Sequence, residues 1–122
     1  MTDRHRARKR FGQNFLRDEA VIHQIVRAIN PQPQQSLVEI GPGKGALTSG
    51  LIDSGCHLDL IELDRDLVPL LQALFGESER LHIHSADALQ FDYSSLRRGE
   101  PRLRVVGNLP YNISTPLIFQ LL

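Results

Sequence analysis

Residues 36–52, SLVEIGPGKGALTSGLI, confine the chain to a narrow set of folds. A short apolar-rich run meets three glycines within five positions, and Leu47, Leu51 and Ile52 then recur at helical spacing. That pattern is a strand, a tight turn and a helix, with glycine letting the backbone turn sharply and approach a ligand. The helix N–H groups behind such a loop favour an anionic or polar group. The unit recurs along the chain. HLDLIE (57–62) reads as a second strand, RLHIH (80–84) as a third and RVVGN (104–108) as a fourth. A first helix is expected from Asp18, its N-cap, to Ile29, and NPQPQQ (30–35) closes it. Gly55 stops the second helix, and a third runs from Arg65 to Phe75 with Asp64 as cap and Pro69 in its first turn. Thr115 and Pro116 have the N-cap and N1 chemistry of a final helix. Strands alternating with helices imply an α/β fold with a parallel, doubly wound sheet.

At 122 residues the chain supports one domain. It holds no apolar run near the ~20 residues that span a bilayer, so no membrane partner is expected. Cys56, the single cysteine, has no internal disulfide partner, which with the lack of a secretory signal points to the cytoplasm. Fourteen basic and fourteen acidic side chains cancel overall, but Arg4, Arg6, Arg8, Lys9 and Arg10 face only Asp3 in residues 1–10. A basic arm over 1–17 on a mildly acidic body, 18–122, suits a polyanion such as RNA. His82 and His84 share a strand face without a further ligand cluster, so no metal is expected. A repeat that stops after its fourth strand leaves that strand's outer edge open. Self-association through the edge is therefore an expectation.

Two acids follow the glycine loop. Gly41, Gly43 and Ala46 satisfy G-x-G-x-x-A, and Glu62 ends the second strand 21 residues after Gly41, where an acid accepts from ribose hydroxyls. Asp87, in SADAL after the third strand, would accept from the exocyclic amine of an adenine; the alternative is an Asx-turn. These features describe an adenosine pocket without separating a nicotinamide cofactor from S-adenosylmethionine.

The fourth strand ends in NLPYNIST (108–115). The N6 amine of adenine is a poor nucleophile because its lone pair is delocalised into the ring. An amide oxygen from Asn108 and a rigid carbonyl from Leu109–Pro110 would draw that nitrogen towards tetrahedral geometry, while Tyr111 stacks on the base for ~1–3 kcal/mol. Alignment and preorganised acceptors then carry the reaction without a strong base. An NAD-dependent dehydrogenase would leave Asn108 and Tyr111 without a role.

FGQNFL, EIGPGKGALT, IELD, DAL and NLPYNIST, in that order, resemble the ribosomal RNA adenine dimethyltransferases, and most closely their bacterial small-subunit branch associated with kasugamycin sensitivity. The resemblance implies a Rossmann-like, S-adenosylmethionine-dependent methyltransferase fold. It also implies dimethylation of N6 on two adjacent adenosines near the 3′ end of small-subunit RNA, late in subunit assembly. It places Asn14 and Leu16 at the methionine end of the cofactor, Gly41 at its amino-acid portion, Glu62 at the ribose, and Asp87 with Ala88 at the adenine. Asn108 would lie between cofactor and target amine, beside Pro110 and Tyr111. Members of the family are roughly twice as long, with further strands and a helical C-terminal domain, so these 122 residues alone are expected to be inactive. The alternatives are an antibiotic-resistance methyltransferase of large-subunit RNA and a non-catalytic RNA-binding fragment.

Overall fold

The computed structural model describes residues 18–96, 103–108 and 116–121. Helix α1 spans Glu19–Ile29; Asp18 caps it, its Oδ1 accepting from the N–H groups of Ala20 at 2.9 Å and Val21 at 3.3 Å. Glu19 in the first turn and Arg27 in the last both complement the helix dipole. Asn30, left-handed at φ 50°, closes the helix through its N–H to the Val26 carbonyl.

Four parallel strands follow. Strand β1 is Ser36–Ile40, helix α2 Ala46–Asp53, β2 His57–Glu62, helix α3 Leu67–Phe75, β3 Leu81–Ser85, a 3₁₀ turn Tyr93–Leu96, and β4 Leu103–Asn108. All four pair in parallel, as the sequence implied, and their spatial order is β3-β2-β1-β4. Helix α3 starts two residues later than expected. Asp64 does not cap it, because its Oδ1 accepts from Asp66 N–H at 2.9 Å in a turn that precedes the helix. Pro69 falls in the first turn, where its missing N–H costs nothing.

The sheet buries both faces. On one, Leu37, Leu58, Leu60, Leu81 and Val106 meet Ile29, Leu47, Leu51 and Leu71 of the helices. On the other, Val38, Ile61, Leu103 and Val105 meet Leu96, with Phe91 and Tyr93 at the margin.

The final helix expected after Thr115–Pro116 is instead a strand. β5, Pro116–Leu121, runs antiparallel to β4, pairing Val105 with Phe119 and Val106 with Ile118. The capping chemistry is local, whereas the outer edge of β4 presents a row of unpaired main-chain groups. An apolar segment only a few residues away satisfies them. Proline sits at the first residue of the strand, where a strand tolerates it. The open fourth-strand edge anticipated as a self-association surface is thereby covered.

Candidate functional site

All four parallel strands point their C-terminal ends the same way, so the loops that follow β1, β2 and β3 gather on one edge. The chain winds outward from β1 through β2 to β3, then returns to the other side of β1 as β4. This reversal between β1 and β4 is a topological switch point, outside which open α/β sheets hold ligands.

The loop after β1 lies at the crevice. Gly41, Gly43 and Gly45 take φ values of 66°, 62° and 87°, and the Gly45 N–H closes a turn on the Pro42 carbonyl at 2.9 Å. A Cβ on Gly45 would come within 2.5 Å of the Phe75 ring, so loop and α3 require glycine there. A Cβ on Gly43 would meet nothing within 4 Å. At that residue the backbone faces open space, as close approach by a ligand demands.

Glu62 is buried and ties two of the loops together. Its Oε1 accepts from Gly43 N–H at 3.1 Å and its Oε2 from Asp64 N–H at 2.9 Å. Each carboxylate oxygen has a second lone pair, so the group can still accept from a diol.

The loop after β3 is held beside it by the Ala86 N–H, which donates to the Glu62 carbonyl at 3.1 Å. Asp87 does form the Asx-turn: its Oδ1 accepts from Leu89 N–H at 2.9 Å. That bond engages one carboxylate oxygen. Ala88 is anchored by Tyr93, whose hydroxyl donates to the Ala88 carbonyl at 2.6 Å. Phe91 braces Tyr93 edge-on at 5.3 Å and His84 at 5.0 Å. Burial, then the nearby Asp87 charge, raises the Tyr93 pKa, so the phenol stays a donor.

Asn108 ends β4 on the same edge, next in register to Gly107, which faces Ile40. Its side chain, Pro110 and Tyr111 lie outside the described residues, as do Asn14, Leu16 and the basic arm of Arg4, Arg6, Arg8, Lys9 and Arg10.

The sequence pattern of one family, ribosomal RNA adenine dimethylase, matches residues 4–122. The chain belongs to the ribosomal RNA adenine dimethylase family. It is 64% identical over 118 residues to Ribosomal RNA small subunit methyltransferase A of Pseudomonas aeruginosa, covering 97% of this chain and 44% of that protein. The chain thus spans under half the length of this curated relative. Among solved structures it is similar in fold to the 23S rRNA methyltransferase ErmE (TM-score 0.58, 21% identity, 77% of this chain and 48% of that one). A dimethyladenosine transferase from Plasmodium falciparum is similar too (TM-score 0.55, 16% identity, 73% and 41%).

Within this sheet the sequence reasoning missed one pair. Thr48 Oγ1 on α2 donates to Oε1 of Glu39 on β1 at 2.6 Å, and both side chains are buried. Burial pushes the Glu39 carboxyl up to about 7; the Thr48 hydrogen bond opposes this and the Glu62 charge adds to it. An acid inside the apolar run SLVEI was the available signal. Leu63 and Leu89 were also passed over. Leu63 directly follows Glu62 and Leu89 lies two residues after Asp87; they are 69% and 94% exposed, which leaves apolar surface near both acids.

His84 is engaged elsewhere, its Nε2 lying 2.8 Å from Oδ1 of the buried Asp59. Among the described residues no three His, Cys, Asp or Glu side chains gather as a metal site, and no helix is long and apolar enough to cross a membrane.

Proposed function

We propose that this chain is the cofactor-binding part of an S-adenosylmethionine-dependent methyltransferase. Its target would be N6 of two adjacent adenosines near the 3′ end of small-subunit ribosomal RNA, modified during subunit assembly in the cytoplasm. The observation that carries this reading is Glu62, whose one carboxylate spans the glycine loop and the start of the next loop at the switch point. The residues present fit the cofactor: a glycine backbone open at Gly43, an acid able to accept from a diol, and Asp87 and Ala88 on the neighbouring loop.

S-adenosylmethionine supplies an electrophilic methyl on a sulfonium. Gly41 and Gly43 admit its amino-acid portion, Glu62 accepts from the ribose hydroxyls, and Asp87 accepts from the adenine amine while Ala88 bounds the ring. Asn14 and Leu16 cover the methionine end. Asn108 and the Leu109–Pro110 carbonyl orient the target amine, and Tyr111 stacks on the target base. The arm from Arg4 to Arg10 neutralises RNA phosphates, so its removal should flatten the salt dependence of RNA binding.

Calorimetric titration tests the cofactor. The chain should bind S-adenosylmethionine and give no heat with NAD. Binding of NAD in place of S-adenosylmethionine would return the glycine loop and Glu62 to a dehydrogenase.

A further inference from the structure

We propose that Glu39 is a positioning residue that couples cofactor binding to proton release: its carboxyl, buried beside Glu62 behind the glycine loop and held by Thr48, gives its proton to solvent when a sulfonium ligand fills the cleft. This rests on the reading of the cofactor as S-adenosylmethionine.

The geometry carries the inference. Strand alternation puts Glu39 and Glu62 on the same face of the sheet, since the register partner of Glu39 is Leu60, two residues before Glu62. Glu39 lies two residues before Gly41, and Glu62 holds Gly43. Two buried acids therefore stand directly behind the loop, close enough for the charge of Glu62 to act on Glu39. The hydrogen bond on Glu39 comes from a hydroxyl, and those on Glu62 come from backbone N–H groups, so neither bond brings in a cationic partner.

The other charged groups on the surrounding elements lie elsewhere. On β2, Asp59 projects from the opposite face and His57 stands at the far end of the strand. On β4, Arg104 bonds Gln35 at 3.1 Å, before the start of β1. Asp53 of α2, Lys44 of the loop, and Glu19, His23 and Arg27 of α1 are exposed. Burial and the field of Glu62 both favour a protonated Glu39 while the cleft is empty. S-adenosylmethionine carries a sulfonium and an ammonium against one carboxylate. Its arrival favours the ionised acid, and by linkage the ligand then binds more tightly as pH rises.

The test is calorimetry on the full chain with S-adenosylmethionine from about pH 5.5 to 8, in buffers of different ionisation enthalpy. Below the raised Glu39 pKa, affinity should climb by up to about tenfold per pH unit, with a buffer-dependent heat that reports released protons. S-adenosylhomocysteine, which lacks the sulfonium, should release fewer. Glu39→Gln keeps an acceptor for Thr48 and should bind with the excess proton release lost. Thr48→Val removes the hydrogen bond that lowers the Glu39 pKa and should move the release to higher pH. S-adenosylmethionine binding with the same proton count in the chain and in Glu39→Gln, or an unmoved profile in Thr48→Val, would overturn the coupling and leave the cofactor reading intact. Equal release with S-adenosylhomocysteine would remove the sulfonium as its cause. Absence of any S-adenosylmethionine binding would overturn both.

Discussion

The backbone N–H of Gly43 donates to Oε1 of Glu62 at 3.1 Å, so the loop after β1 is fastened to the last residue of β2. That carboxylate is a structural tie and, in the reading proposed above, also a recognition group, and the two can be separated by substitution.

Glu62→Ala strips an acceptor from two backbone N–H groups, those of Gly43 and Asp64. The expected loss of stability is about 1–3 kcal/mol, read by denaturant titration. Affinity for S-adenosylmethionine should fall at least about tenfold, more than stability alone explains, because the charge-assisted bonds proposed to the ribose would be worth roughly 1.5–3 kcal/mol each.

Gly43 and Gly45 should respond differently to alanine. Both sit at positive φ, which costs a non-glycine residue roughly 1–2 kcal/mol. At Gly45 the new methyl also strikes the Phe75 ring, so Gly45→Ala should lower the melting temperature the more. At Gly43 the methyl enters open space where the cofactor is proposed to lie. Gly43→Ala should therefore keep most of the stability and lose most of the affinity.

Stability should depend on pH through Glu39. Its folded pKa, about 7, stands above its ordinary value of 4.5, so the folded state binds the proton more tightly than the unfolded state. Its contribution is full below about pH 4.5 and is lost as pH rises through about 7. The loss is on the order of 3 kcal/mol. Denaturant titrations at pH 5 and pH 8 should show this fall in the chain and a much smaller one in Glu39→Gln.

Tyr93→Phe removes the hydroxyl that holds the Ala88 carbonyl. The expected cost is about 1 kcal/mol of stability. In the reading proposed above the bond also sets the loop that would face the adenine, so S-adenosylmethionine affinity should drop several-fold while the chain remains folded by circular dichroism.

The strands and loops of this site were legible because each leaves a local mark. An apolar run ending in glycines fixes β1 and its turn, and Glu62 is found by counting from Gly41. The Glu39–Thr48 bond joins a strand to a helix across the core, so only the packed fold shows that the two side chains meet. Residues 116–121 misled for the opposite reason: Thr115–Pro116 carries clear helix-start chemistry, but pairing with β4 outweighs it. Asp64 is the smaller case, its carboxylate engaged in a turn to Asp66 before the helix begins.

Amide hydrogen exchange with and without S-adenosylmethionine tests the central claim most directly, since it reads the loops themselves. The ligand should slow exchange at residues 41–46, 62–64 and 87–89, the three segments that meet at the C-terminal edge of β1, β2 and β3, and NAD should not. Unchanged exchange in these segments at saturating S-adenosylmethionine, or equal protection by NAD, would contradict the assignment of this edge as a methyltransferase cofactor site.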